Sequence, residues 1–182
     1  MFKLNAQQLR TTKADPEKFK KLPKNPIYLI LDDVLDTYNI GSIFRLADAV
    51  AVERVIITGQ SETPPHTRIK KASVNTTEWV KWEYKETALE ALEELREKIP
   101  GIQIVAIEQS QKSVPYTQMK WQFPVALVVG NETTGVSPEV LETVDAIVEL
   151  PMFGVNISLN VMVSLGIVLY RVINSLKGTD SC

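Results

Sequence analysis

Only one cysteine and one histidine occur among the 182 residues. Cys182 is the last residue, so no intrachain disulfide and no Cys-based metal site is expected, and a reducing, cytoplasmic setting is. His66 stands alone, which excludes a His-pair metal site and leaves a surface histidine as the plain reading. No metal is expected. The segment Met1–Arg10 lacks the uninterrupted apolar core and cleavage site of a signal peptide. A membrane span is also lacking: the apolar stretch from about Ser158 to Leu176 carries Asn160, Arg171 and Asn174, whose burial in lipid is costly. It reads as a core or dimer-interface helix. No Gly-x-Gly-x-x-Gly follows the first apolar strand, and the loop after Leu31 is acidic where a pyrophosphate would sit, which argues against a nucleotide-dependent oxidoreductase. Internal repeats and low-complexity segments are missing as well.

What is present is an apolar fraction of 45%, enough for one domain to bury a substantial core without cross-links. Charge is unevenly placed. Residues 1–25 hold seven basic and two acidic side chains, net +5, against an overall −2, which leaves −7 on residues 26–182. The expectation is a basic arm over 1–25 on an acidic domain over 26–182, the arm being either a phosphate-contacting segment or a solvated tail.

Along the chain, Ile27–Leu31 reads as a buried strand, and the apolar spacing of Ile40, Ile43, Phe44, Ala47 and Val50 as a helix from an Asn39 N-cap to about Val52. Arg54–Thr58 closes a βαβ unit. Residues 59–75, with Pro64 and Pro65, read as irregular. An edge strand is expected within Trp79–Tyr84. Thr87 and Glu90 have the capping-box pattern before an amphipathic helix ending at Pro100-Gly101. Strands follow at Gln103–Ile107, Pro124–Val129 and Ala146–Leu150, with a short helix between the last two, signed by Ser137, Pro138 and Glu139. This alternation predicts an α/β fold, a mostly parallel sheet with helices on both faces. Ordinary topology rules draw it unknotted.

Three strand-loop-helix junctions stand out: Asn39-x-Gly-x-x-x-Arg45, Gly130-x-Glu132-x-x-Gly135, and Pro151-Met-x-Gly-x-x-x-Ser158-Leu-Asn-Val161. Their order and spacing resemble the three motifs of the SpoU (TrmH) branch of the SPOUT RNA methyltransferases, over residues 27 to about 175. The resemblance implies a deep C-terminal trefoil knot in about 125–175, S-adenosylmethionine as cofactor, a homodimer, and methylation of a ribose 2′-hydroxyl in RNA. The short overall length is closer to stand-alone tRNA enzymes of the guanosine-18 type than to two-domain ribosomal RNA enzymes. A noncatalytic RNA-binding dimer keeping the fold is the rival.

By that resemblance Arg45 is catalytic, and since a guanidinium does not readily lose its proton, clamping the phosphate beside the hydroxyl is favoured over acting as a base. Its alternative is a surface salt-bridge residue. Asn39 orients Arg45 or the phosphate, or only caps its helix. Glu132 orders the active site, or is an exposed loop acid. Ser158 and Asn160 position substrate or cofactor; Ser158 alternatively caps the last helix, while Asn160 is an awkward polar group early in an apolar helix. Gly130, Leu150 and Leu159, with Ile107, Met152 and Gly154, are the implied cofactor contacts. Arg68, Lys70 and Lys71, with Lys20 and Lys21 of the arm, are candidate RNA phosphate contacts or solvated charges. Trp79, Trp82 and Trp121 read as core or interface residues rather than base-stacking platforms.

Overall fold

The structure is a computed structural model that describes residues 3–12, 15 and 21–179. Seven strands form one sheet in which every pair is parallel: β1 (Asn25–Asp32), β2 (Val52–Thr58), β3 (Trp82–Lys85), β4 (Gln103–Ile107), β5 (Val114–Pro115), β6 (Val125–Gly130) and β7 (Ala146–Glu149), in the order β3-β2-β1-β6-β4-β7-β5. The described helices are α1 (Ala6–Thr11), α2 (Thr37–Ala49), α3 (Thr67–Ser73), α4 (Ala88–Lys98), α5 (Pro138–Thr143) and α6 (Val161–Lys177).

Strands flanked on both sides and covered on both faces read as continuous apolar runs, and the two-residue period then divides each run between two cores. Ile27, Leu29 and Leu31 join Val55, Ile57, Val105, Leu127 and Val129 on the face covered by α2 and α6. Ile30 joins Ile56, Ile104, Ala106, Ala126 and Val128 on the face covered by α4 and α5. In register, Ile30 faces Ile56 on one side and Val128 on the other. The α6 helix buries Leu165, Val168, Leu169 and Val172 in the first core. Among the described residues no helix is long and apolar enough to cross a membrane.

Several expectations are corrected. The α2 helix begins at Thr37 because Asp36, immediately ahead, caps it by accepting from the Tyr38 N–H; Asn39 lies inside the helix. Residues 59–75 are not wholly irregular, since α3 starts immediately after the Pro64-Pro65 pair. His66 supplies its cap, Nδ1 accepting from the Arg68 N–H at 3.3 Å. The last helix begins at Val161, three residues later than expected, capped by Asn160 and not by Ser158. The two-residue strand β5 and helix α1 give no readable periodicity, and both were missed. The α1 helix is held to the body by Asn75, whose Nδ2 donates to the Leu9 carbonyl at 3.0 Å. Lys20 lies outside the described residues, as does Cys182.

Candidate active site

The carboxyl ends of β1, β4, β6 and β7 meet at the middle of the sheet, the place where open parallel sheets bind ligands. Asp32 pairs with Gly130 there, and Ile107 with Val148. Beyond these ends lies a cavity of about 670 Å³, within the size range of small-molecule sites. Its walls are Ile107, Val129, Leu150, Met152, Leu159 and Val161; its polar lining includes Glu108, Gln109, Glu132, Glu149, Ser158 and Asn160.

The loop after β6 folds back on itself. Asn131 and Gly135 exchange two backbone hydrogen bonds of 3.0 and 2.9 Å, and Gly135 adopts φ +73°, a conformation that favours glycine. A Cβ on Gly130 would lie 2.2 Å from the Gly135 carbonyl carbon. Both glycines are therefore required by the fold-back, whatever else they contact. Asn131 Nδ2 donates to the Asp33 carbonyl at 2.9 Å, and the Ser137 N–H to Asp32 Oδ2 at 2.8 Å, so the end of β1 holds this loop in place.

At the tip of the loop, Glu132 reaches the start of α2. Its carboxylate accepts from the N–H groups of Leu35 and Asp36, each at 3.1 Å, and from Asn39 Nδ2 at 2.8 Å. Burial pushes this carboxyl up, but the bond from Asn39 and the backbone N–H bonds outweigh it and hold the group below the ordinary carboxylate range. Asn39, 6% exposed, uses its other side-chain atom as well: Oδ1 accepts from Asn160 Nδ2 at 3.0 Å. Asn160 Oδ1 in turn accepts from the N–H groups of Met162 and Val163, at 3.0 and 3.4 Å. One polar chain, Glu132–Asn39–Asn160–α6, thus joins all three junctions. Asn160 is itself exposed and caps α6, so its place ahead of an apolar helix carries no burial cost.

Of the residues expected at the site, Glu132, Ser158, Asn160, Gly130, Leu150, Leu159, Ile107 and Met152 line the cavity. Asn39 touches it through two of them. Gly154 does not line it, although Asn156 and Ile157 of the same loop do; Phe153 and Val155 beside it are 96% and 102% exposed. Arg45 is exposed on α2, outside the lining, and makes no hydrogen bond or ion pair with the described residues. Glu108 and Gln109 line the cavity but carry no motif signal; only their place directly after a strand end marks them.

The basic residues Arg68, Lys70 and Lys71 are exposed on α3, as is Lys21 in the arm. The α3 helix packs against α2 at Gly41, where a Cβ would lie 2.6 Å from Ala72 Cβ and 2.7 Å from the Ile69 carbonyl oxygen. The glycine of the first motif is thus a packing residue that brings the basic helix against the helix bearing Arg45.

The profile of the SpoU rRNA Methylase family matches residues 26–170. The chain belongs to that family. Among SpoU relatives, a tRNA (guanosine(18)-2′-O)-methyltransferase of Aquifex aeolicus is 37% identical over 159 residues, 85% of this chain and 72% of the relative. The crystal structure of an A. aeolicus TrmH/SpoU tRNA modifying enzyme superposes with a TM-score of 0.76 at 30% identity, covering 96% of this chain and 83% of that one. The AdoMet-bound rRNA methyltransferase of Sinorhizobium meliloti gives a TM-score of 0.76 at 25% identity, over 92% of this chain and 60% of that one. Against other curated SpoU relatives, a 23S rRNA (guanosine-2′-O-)-methyltransferase of Neisseria meningitidis among them, the chain spans 59% of their length.

Proposed function

We propose that this SpoU chain methylates a ribose 2′-hydroxyl of RNA, with S-adenosylmethionine in the cavity at the strand ends. The observation that carries this reading is the polar chain Glu132–Asn39–Asn160 linking the three motif loops at that cavity. The lining fits such a cofactor: apolar walls at Ile107, Leu150 and Leu159 suit an adenine, and the carboxylates of Glu132 and Glu149 suit hydroxyls and a cationic ligand. When bound, the cofactor supplies an electrophilic methyl group.

The residues supply orientation. Ser158 and Asn160 stand at the cavity mouth, where they orient the ribose, and Asn39 and Glu132 hold Asn160 from behind. Arg45 clamps the adjacent phosphate, and its fixed positive charge favours loss of the hydroxyl proton. Arg68, Lys70, Lys71 and the arm cations, Lys20 and Lys21 included, hold further phosphates. Transfer RNA is favoured as substrate, on the 37% identity and the larger share of the guanosine-18 enzyme that the chain covers; ribosomal RNA is the second reading, on the S. meliloti likeness.

Three structural features belong to the same proposal. The acting unit is a homodimer, because Leu35, Tyr38, Val163, Ile167 and Tyr170 are large apolar side chains left 39–50% exposed on and beside α2 and α6. The second copy then brings its Arg45 beside the cavity, whose lining within one chain does not include that residue. Residues 26–182 form one domain behind a basic arm. The chain is threaded as a trefoil knot in about 125–175, consistent with its return from edge strand β5 to β6 in the middle of the sheet; a crystal structure whose backbone traces unthreaded would remove this part.

The test is transfer of a tritiated methyl group from S-adenosylmethionine to total tRNA and, separately, to ribosomal RNA. Incorporation into tRNA that disappears in Arg45→Ala, with the label in a nuclease-resistant dinucleotide, is the expected result. Cofactor binding without incorporation into either pool would move the reading to a noncatalytic RNA-binding dimer.

A further inference from the structure

Glu108 and Gln109 form the dipeptide directly after β4, outside all three motifs, and both line the cavity. Their side chains turn to opposite loops. Glu108 Oε2 accepts from the Val136 N–H at 2.9 Å, and its Oε1 accepts from the Gln109 N–H at 2.8 Å. The fit is close, since a Cβ on Gly135 would lie 2.3 Å from Glu108 Oε2. Gly135 is therefore bare partly to admit this carboxylate, which braces the fold-back whose tip carries Glu132. Gln109 Nε2 donates to the Ile157 carbonyl in the other loop. That loop has little burial of its own: Phe153, Val155 and Ile157 are 96%, 102% and 76% exposed. Leu150 packs against the core at the start of this loop, but across 153–157 its position depends on polar tethers, and Gln109 and the Asn160 cap are two of them.

We propose that Glu108 and Gln109 are positioning residues that set the shape of the cofactor cavity, Glu108 fixing the 130–137 loop and Gln109 fixing the 150–160 loop. The Glu132–Asn39–Asn160 chain already ties the two loops through α2, and Glu108 and Gln109 add a second tie at the end of β4. Joined to adjacent residues directly after one rigid strand, the loops hold a common spacing, and a site anchored to a rigid element keeps its geometry better than one held by loops alone. This rests on the methyl-transfer reading above. It goes beyond that reading by assigning the cofactor's fit to residues that touch neither RNA nor the motif side chains.

The experiment compares native protein with Gln109→Met, Glu108→Gln and Glu108→Ala, using steady-state methyl transfer at varied S-adenosylmethionine, calorimetric binding of S-adenosylhomocysteine, and thermal unfolding. Gln109→Met keeps length and loses the donor. Its KM for S-adenosylmethionine is expected to rise about fivefold or more with kcat within about twofold, the pattern of lost ground-state binding, and its unfolding midpoint is expected to stay near native. Glu108→Ala is expected to lose both kcat and affinity, and Glu108→Gln, which keeps an acceptor for the Val136 N–H, to recover much of the loss. A purely structural role moves the unfolding midpoint and leaves the KM-to-kcat split unchanged. Native transfer and binding with unaltered KM in Gln109→Met would overturn this inference and leave methyl transfer standing. No transfer and no binding by the native chain would overturn both.

Discussion

At the scale of the residue, each amide in the polar chain does two jobs, and the jobs separate by mutation. Asn160 caps α6 through Oδ1 and holds Asn39 through Nδ2. Asn160→Asp keeps the capping acceptor and loses the donor, so stability is expected to stay within about 0.5 kcal/mol while Asn160→Ala loses about 1 kcal/mol. Methyl transfer is expected to fall at least about tenfold in both, since orientation of the reacting groups is lost either way. Urea denaturation alongside the methyl-transfer assay checks this; equal stability losses in the two variants would contradict the division of labour. The residue types were legible in the sequence, but their roles were not. Asp36 and Asn39 are both good N-caps, as are Ser158 and Asn160, and a linear pattern does not say which oxygen meets the helix N–H groups. Asp36 wins at α2, which frees Asn39 to reach across 93 residues of chain to Glu132.

At the scale of the element, the first motif positions a helix pair. Gly41 lets α2 and α3 approach so closely that an alanine there would meet backbone at 2.7 Å. Gly41→Ala is expected to cost about 1–3 kcal/mol by overpacking, read from urea denaturation, and to weaken RNA binding as α3 shifts with Arg68, Lys70 and Lys71. Unchanged stability would mean that α3 moves freely and is not set by α2. The α3 helix was hidden in the sequence because Pro64 and Pro65 signal a break, and its cap, His66, is an unusual one. Strands were read more accurately: β4 falls at Gln103–Ile107 as expected, because a strand buried on both faces is a continuous apolar run whose ends are polar.

At the scale of the whole molecule, Arg45 lies outside the lining of the cavity of its own chain, and the proposed homodimer, formed through the exposed apolar side chains of α2 and α6, would supply it from a second copy. Co-expression of Arg45→Ala with Ser158→Ala tests this. If Arg45 acts across the dimer, each mixed dimer keeps one intact site and activity returns to the mixture, though each variant alone is inactive. If Arg45 acts within its own chain, mixed dimers stay inactive. If the proposed dimer forms through this face, Ile167→Glu is expected to convert it to monomer in light scattering, because a charge there costs more to bury than the apolar contact returns.

The sequence by itself determined every strand but β5, most of the alternation with helices, and the residue types at three junctions, because burial on both faces and the spacing of Asn, Gly, Glu and Arg leave local marks. Tertiary structure decided which of those residues meet. The sheet order β3-β2-β1-β6-β4-β7-β5 places strand ends side by side that are about 100 residues apart in the chain, Asp32 beside Gly130 for example. Only that order joins Glu132 to Asn39 and Asn39 to Asn160, admits Glu108 against Gly135, and leaves Arg45 outside the cavity. Such contacts arise from strand pairing between distant segments, and hydrophobic periodicity, being local, carries no record of them.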